Sequence, residues 1–259
     1  MSKKRAFDFV KLLELPSKPR KKAIVEIRGS YYSPVTYTYL KDLFDIMADY
    51  IDGFKFTAGN QRFHTPEMIK KYTALCHKNN IYVSTGGFIE RVILQGHDAV
   101  DRFLQESKKL GFDVLEVSSG FANILFEDQI AIIKKAKRIG LKVKPEISFI
   151  KEAGAGTHKT DYKLQYKDIN EMLREAKEFL KAGAYMLMLE SEGITEDLPP
   201  EKWRKDIIEK AVKTIGLEKW MFEASDPAVF KWYLKHFGAD INVFIDHSQV
   251  FEYNAWREH

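Results

Sequence analysis

Charged side chains recur where short apolar runs of this sequence end. Ala-Ile-Val-Glu-Ile-Arg closes on Arg28, Gly-Phe-Lys on Lys55, and Val-Leu-Glu-Val-Ser on Glu116 and Ser118. Lys-Pro-Glu ends at Glu146, Met-Leu-Glu at Glu190 with Glu192 two residues on, Met-Phe-Glu at Glu223, and Phe-Ile-Asp at Asp246. A lone charge in a buried strand is costly, so each must be paired or must meet a ligand where the strand exits. One reading makes the glutamates partners of lysine or arginine. The other has at least two of the five strand-end acids hold a divalent cation through oxygen, and Mg2+ is favoured because histidine and cysteine are scarce at these ends. Arg28 before Gly29 and Lys55 between two phenylalanines suit anion contacts. Thr85 and Gly86 open a turn whose backbone N–H groups can donate to a phosphate. Ser118, Glu223 and Asp246 share the same ends and join these as substrate-binding candidates.

The stretch 141–161 concentrates the pattern. It places Glu146 at a strand end, then Lys151, then a loop hinged at Gly154 and Gly156. That make-up predicts a catalytic rim with a lid over 152–162. His158 reads as a solvated loop residue. Pro227 and Ser248 are explained by helix capping alone. No nucleophile elbow, P-loop or dinucleotide fingerprint occurs.

The elements that must carry these residues alternate regularly. Strands are expected at 23–28, 51–56, 81–84, 113–118, 141–147, 184–189, 220–224 and 241–245. Helices are expected at 36–50, 66–79, 98–110, 127–139, 167–182, 203–215, 227–237 and from 247. Their apolar residues recur at spacings of three and four, as at Leu40, Leu43, Phe44 and Met47. Glycine stands at the helix-to-strand junctions 111, 140, 183, 216 and 238, where a C-cap commonly needs a left-handed backbone. Eight such units predict one (β/α)8 TIM barrel over 1–259 with a lead-in at 1–20, and chemistry at the C-terminal ends of its strands.

Composition narrows the partners. The chain has 259 residues with 41 basic and 37 acidic side chains interleaved, a formal net charge of +4, so no polybasic face for nucleic acid is expected. The single cysteine, Cys76, excludes an intrachain disulfide. No apolar run long enough to span a membrane and no signal-like core are seen, which points to a cytoplasmic protein with no membrane partner. A small anionic, phosphorylated substrate is the partner expected, and a homo-oligomer is compatible with the sequence.

Several of these stretches are familiar. Asp-Gly-Phe-Lys-Phe-Thr-Ala-Gly (52–59), Tyr-Val-Ser-Thr-Gly-Gly (82–87), Gly-Phe-Asp-Val-Leu-Glu-Val-Ser (111–118) and Met-Phe-Glu-Ala (221–224) resemble the phosphosulfolactate synthase family. Glu-Ile-Arg-Gly-Ser-Tyr-Tyr-Ser (26–33), Lys-Val-Lys-Pro (142–145) and Val-Phe-Ile-Asp-His-Ser (243–248) resemble its plant heat-stress-associated branch. The resemblance implies a (β/α)8 barrel and a Mg2+-dependent addition of sulfite to phosphoenolpyruvate. It also implies Glu116, Glu146 and Glu190 as metal ligands, Arg28 and Lys55 as anion contacts, and Lys151 as the acid, with Lys55 beside it. An alternative is a barrel that has diverged from this reaction and acts through protein partners or on another anion. Three departures bear on the choice: Ile27-Arg28-Gly29 in place of the archaeal Asp-Lys-Gly, Lys151 five residues past Glu146, and Glu192 where the archaeal pattern has arginine.

Overall fold

The computed structural model describes residues 6–29, 33–151 and 165–258. Eight parallel strands pair in chain order and close: β1 Val25–Arg28, β2 Gly53–Lys55, β3 Tyr82–Ser84, β4 Val114–Val117, β5 Lys142–Ile147, β6 Leu187–Leu189, β7 Trp220–Glu223 and β8 Val243–Asp246. β1 meets β8 with Arg28 opposite Asp246, which completes the expected (β/α)8 barrel.

The two-residue period of a strand decides what faces inward. Val25, Ile27, Phe54, Leu115, Val117, Val143, Leu187, Leu189, Phe222 and Val243 join the large apolar layer between barrel and helices. Their neighbours in sequence, Glu26, Lys55, Glu116, Lys144 and Glu146, therefore project into the barrel. There they share space with the smaller cluster of Ile24, Met186, Met188, Met221 and Phe244. Gly53 is required by this interior. A Cβ built on it would lie 2.3 Å from the Tyr82 ring, which fills the space a side chain would take.

The helices are α1 Tyr37–Met47, α2 Pro66–Lys78, α3 Ile89–Ile93, α4 His97–Leu110, α5 Phe126–Arg138, α6 Ile169–Ala182, α7 Lys205–Ile215, α8 Pro227–Phe237 and α9 Val250–Arg257. Thr36, Thr65, Asp168 and Asp226 cap four of them by accepting backbone N–H groups. Gly111 and Gly183 end α4 and α6 with φ of 91° and 116°, as the junction glycines predicted.

Several elements differ from expectation; β6, for one, begins at Leu187 and not at 184. α3 is too short, at five residues, to leave a 3.6-residue period. α7 begins at Lys205 because Trp203 is extended after the Pro199-Pro200 turn. The last helix begins at Val250, after a 3-10 turn at His247–Gln249. The expected lid at 152–162 lies outside the described residues.

The lead-in is a strap across the N-terminal end of the barrel. Lys18 Nζ donates to the carbonyls of Ala48 and Asn79, where α1 and α2 run out, and Arg20 pairs with Asp52 at 2.9 Å. Among the described residues no helix is long and apolar enough to cross a membrane.

Candidate functional site

β2, β4 and β5 bring Lys55, Glu116 and Glu146 together inside the C-terminal mouth. Lys55 Nζ lies 2.6 Å from Glu116 Oε1 and 3.1 Å from Glu146 Oε1. Its ammonium also sits 4.2 Å from the centre of the Phe244 ring, whose face attracts a cation. Glu116 and Lys144 are partners in the β4–β5 register, so both point inward at one level. Lys144 Nζ lies 3.3 Å from Glu116 Oε2 and also donates to Glu26 Oε1.

Burial and neighbouring charge divide these acids. Burial works to raise the Glu116 carboxyl, but Lys55 and then Lys144 outweigh it and hold it below the usual carboxylate range. Glu146 is driven well above that range, first by burial and then by the charge of Glu116. Glu190, following β6, is pushed up to about 7 by burial and then by Glu223. Glu190 lies close enough to Glu146 for its charge to add to the upward push on that carboxyl. The lysines thus favour the charged form of Glu116, while burial and like charge favour the neutral forms of Glu146 and Glu190.

Arg28, the register partner of Lys55 on β1, faces β7 and β8. Its guanidinium stands 3.4 Å from Asp246 Oδ2 and 3.8 Å from Glu223 Oε1. Glu223 Oε2 also accepts the Ser191 backbone N–H. Asp246 caps the 3-10 turn by accepting the Ser248 N–H and hydroxyl. Burial works to raise Asp246, and the Ser248 hydrogen bonds, His247 and Arg28 outweigh it, leaving this carboxyl below its ordinary value.

Thr85 and Gly86 border the Lys55 group, since a Cβ on Gly86 would lie 3.6 Å from Lys55 Cε. The Thr85 hydroxyl accepts the Glu116 N–H and donates to the Gly86 carbonyl, while the Gly86 N–H faces Ser84 Oγ. A Cβ on Gly86 would fall 2.1 Å from the Phe56 carbonyl, so this turn is closely packed. Ser118 gives its hydroxyl to Glu90, whose other oxygen accepts the N–H groups of Phe121 and Ala122. Lys151 is exposed just beyond the Ile150–Tyr166 bridge, outside the buried group. Glu192 is half-buried on the loop after Glu190.

Lys144 and Glu26 are the members that strand-end reading did not single out as site residues. The signal was available: Lys144 precedes Glu146 by two and so shares its face. His247, next to Asp246 at the strand-eight end, has no role assigned by the sequence alone. Its Nδ1 lies 2.7 Å from the Tyr39 hydroxyl, a contact between distant segments that no local pattern carries.

Residues 14–259 match the family model of (2R)-phospho-3-sulfolactate synthase. The Arabidopsis thaliana protein HEAT-STRESS-ASSOCIATED 32 is 30% identical over 253 residues, covering 93% of this chain and 88% of its own. The phosphosulfolactate synthase of Methanothermobacter thermautotrophicus is 26% identical over 242 residues, covering 92% and 88%. Among solved structures, a deoxyribose-phosphate aldolase from Toxoplasma gondii superposes with a TM-score of 0.54 at 16% identity, covering 91% of this chain and 94% of that one. The last likeness concerns the fold alone.

Proposed function

We propose a function from the premise that this chain belongs to the phosphosulfolactate synthase family, as the match over residues 14–259 shows. The reading is a Mg2+-dependent carbon–sulfur lyase that joins sulfite to phosphoenolpyruvate. The observation that carries it is the Lys55 ammonium held inside the mouth by Glu116 and Glu146, with Glu190 near them and Arg28 next to Lys55 on the neighbouring strand. Cations that can grip a small polyanion thus stand next to acids that can share a metal.

The donor set suits Mg2+ in one arrangement. Among the described residues no three His, Cys, Asp or Glu side chains already form a metal-holding group. Mg2+ commonly takes one or two carboxylates and fills its octahedron with water and substrate oxygens. Glu146 and Glu190 fit that role. Without metal, burial and like charge favour their protonated forms; a divalent cation would have to displace those protons and would then offset the charge left on the two carboxylates. Glu116 has an oxygen against each of two lysines, and the proposal leaves it to them. The bound ion would stabilise charge developing on the substrate carboxylate.

The chain's own residues then supply the rest. Arg28 and Lys55 bind the phosphate and carboxylate of phosphoenolpyruvate and orient C3 toward the sulfite sulfur. As the sulfur–C3 bond forms, the C2–C3 π pair moves to C2 and the carboxylate, and a proton must arrive at C2. No group leaves. Lys55, buried inside the mouth, is proposed to deliver it; Lys151, exposed on the loop beyond β5, would have to reach in from outside.

The test is sulfite consumption with phosphoenolpyruvate and Mg2+. Turnover that needs all three supports the reading. No turnover at any Mg2+ concentration, with no binding of phosphoenolpyruvate by calorimetry, sinks it. The latter result would favour a diverged barrel, a reading supported by Glu192 in place of the archaeal arginine.

A further inference from the structure

We infer that Lys144 is a positioning residue, acting through Glu116 to aim the Lys55 ammonium into the mouth. The inference rests on the proposed role of Lys55 in anion binding and adds a residue beneath the site that the strand ends do not contain.

Lys144, Glu116 and Glu26 are each 0% exposed. Stability alone gives no reason for such a trio. Removing ions from water is expensive, and well-packed apolar residues of similar size are often as stable or more so. The surroundings would suit them, because Met188, Met221 and Phe244 line the same interior and Met221 Sδ lies 3.5 Å from Lys144 Nζ. The trio therefore calls for an electrostatic or geometric role.

The geometry supplies one. Glu116 gives Oε1 to Lys55 at 2.6 Å and Oε2 to Lys144 at 3.3 Å. These are ion-pair contacts without hydrogen-bond geometry, and with a lysine against each oxygen they favour one orientation of the Glu116 carboxylate. Its outer oxygen, together with the hydrogen bond from Lys55 to Glu146 Oε1 at 3.1 Å, sets the place of Lys55 Nζ. Lys144 also takes up part of the Glu116 charge, leaving more of the Lys55 charge directed at an incoming anion. Glu26, hydrogen-bonded to Lys144 from β1, balances that lysine and anchors it. Neutralisation thus runs from Glu26 through Lys144 and Glu116 to Lys55.

The pair must be removed together, because Lys144→Met alone would strand two buried carboxylates. Glu26→Leu with Lys144→Met is the test, measured for melting temperature, for phosphoenolpyruvate binding by calorimetry with Mg2+, and for the NMR signal of the Lys55 ammonium in protein carrying isotope-labelled lysine. That signal is assigned by its loss in Lys55→Met. A positioning role gives an undiminished melting temperature, about tenfold or greater weakening of binding, as coupled neighbours show, and a shifted or broadened Lys55 signal. Unchanged binding with an unchanged Lys55 signal overturns the inference. So does a fall in melting temperature that accounts for the weaker binding. Should the parent protein not bind phosphoenolpyruvate, the proposed function fails while the Lys55 signal still decides this inference. Should the apolar pair not fold, Glu26→Gln with Lys144→Gln is read in the same three ways.

Discussion

A carboxyl held neutral and a carboxylate held charged respond to substitution in opposite ways, and this site has both. Burial and the charge of Glu116 favour the protonated form of Glu146, and Glu146→Gln mimics that form in charge and shape. We expect its melting temperature to match the parent's without metal and its Mg2+-induced thermal shift to vanish, since only binding to the folded state adds stability. A large fall in stability without metal would make Glu146 a structural partner of Lys55 instead. Glu190 gives a pH signature. Its carboxyl rises from an ordinary 4.5 to about 7 in the fold, so its contribution is fully present below 4.5 and is lost as pH climbs toward 7. Metal-free protein should lose about 1–3 kcal/mol over that interval, and Glu190→Gln should flatten the profile. Urea melts at several pH values would show it; equal slopes in both proteins would remove Glu190 from the buried group.

At the scale of the elements, the sequence carried the strand ends but not the depth of the interior. Arg28, Lys55, Glu146, Glu190 and Asp246 were legible because each closes an apolar run, and a parallel barrel gathers such ends at one mouth. Lys144 lay within a run, where period-two alternation shows the face but says nothing of the partner. That partner, Glu26, is 118 residues away and is set by barrel closure. Thr85, Gly86 and Ser118 were at strand ends too, yet their polar atoms face backbone groups and Glu90, choices made by loop packing rather than by spacing. The same packing makes Gly53 a sensitive position. Gly53→Ala would put a methyl into the Tyr82 ring at 2.3 Å, on a strand whose next residues carry Lys55. Overpacking of this kind costs about 1–3 kcal/mol. We expect a matching drop in urea stability, with phosphoenolpyruvate binding weakened further if β2 shifts Lys55. A variant as stable as the parent would mean that Tyr82 repacks freely.

Across the whole molecule, the two ends of the barrel are stabilised differently. The C-terminal mouth holds acids in excess, whereas the N-terminal end is closed by cations from the strap reaching the places where helices and strands begin or end. Lys18 satisfies two terminal carbonyls, of Ala48 and Asn79, and Lys22 pairs with Asp240 near the start of β8. Arg20 makes the deepest contact. It pairs with Asp52, whose other oxygen accepts the Val25 N–H at the head of β1, and both side chains are only 5% exposed. Burial is the largest influence on Asp52 and leaves its carboxyl raised even with Arg20 in place. A chain lacking residues 1–20 would leave that acid buried without its guanidinium. Breaking a buried pair from one side costs about 3–5 kcal/mol, so we expect the truncated protein to unfold at markedly lower urea concentration. Asp52→Asn in the truncated chain should recover part of the loss, because the amide needs no counter-charge and can still accept the Val25 N–H. A truncated protein as stable as the full chain would show that the strap rests on a barrel already closed. A loss that Asp52→Asn leaves untouched would place the strap's contribution in Lys18 and its two carbonyls.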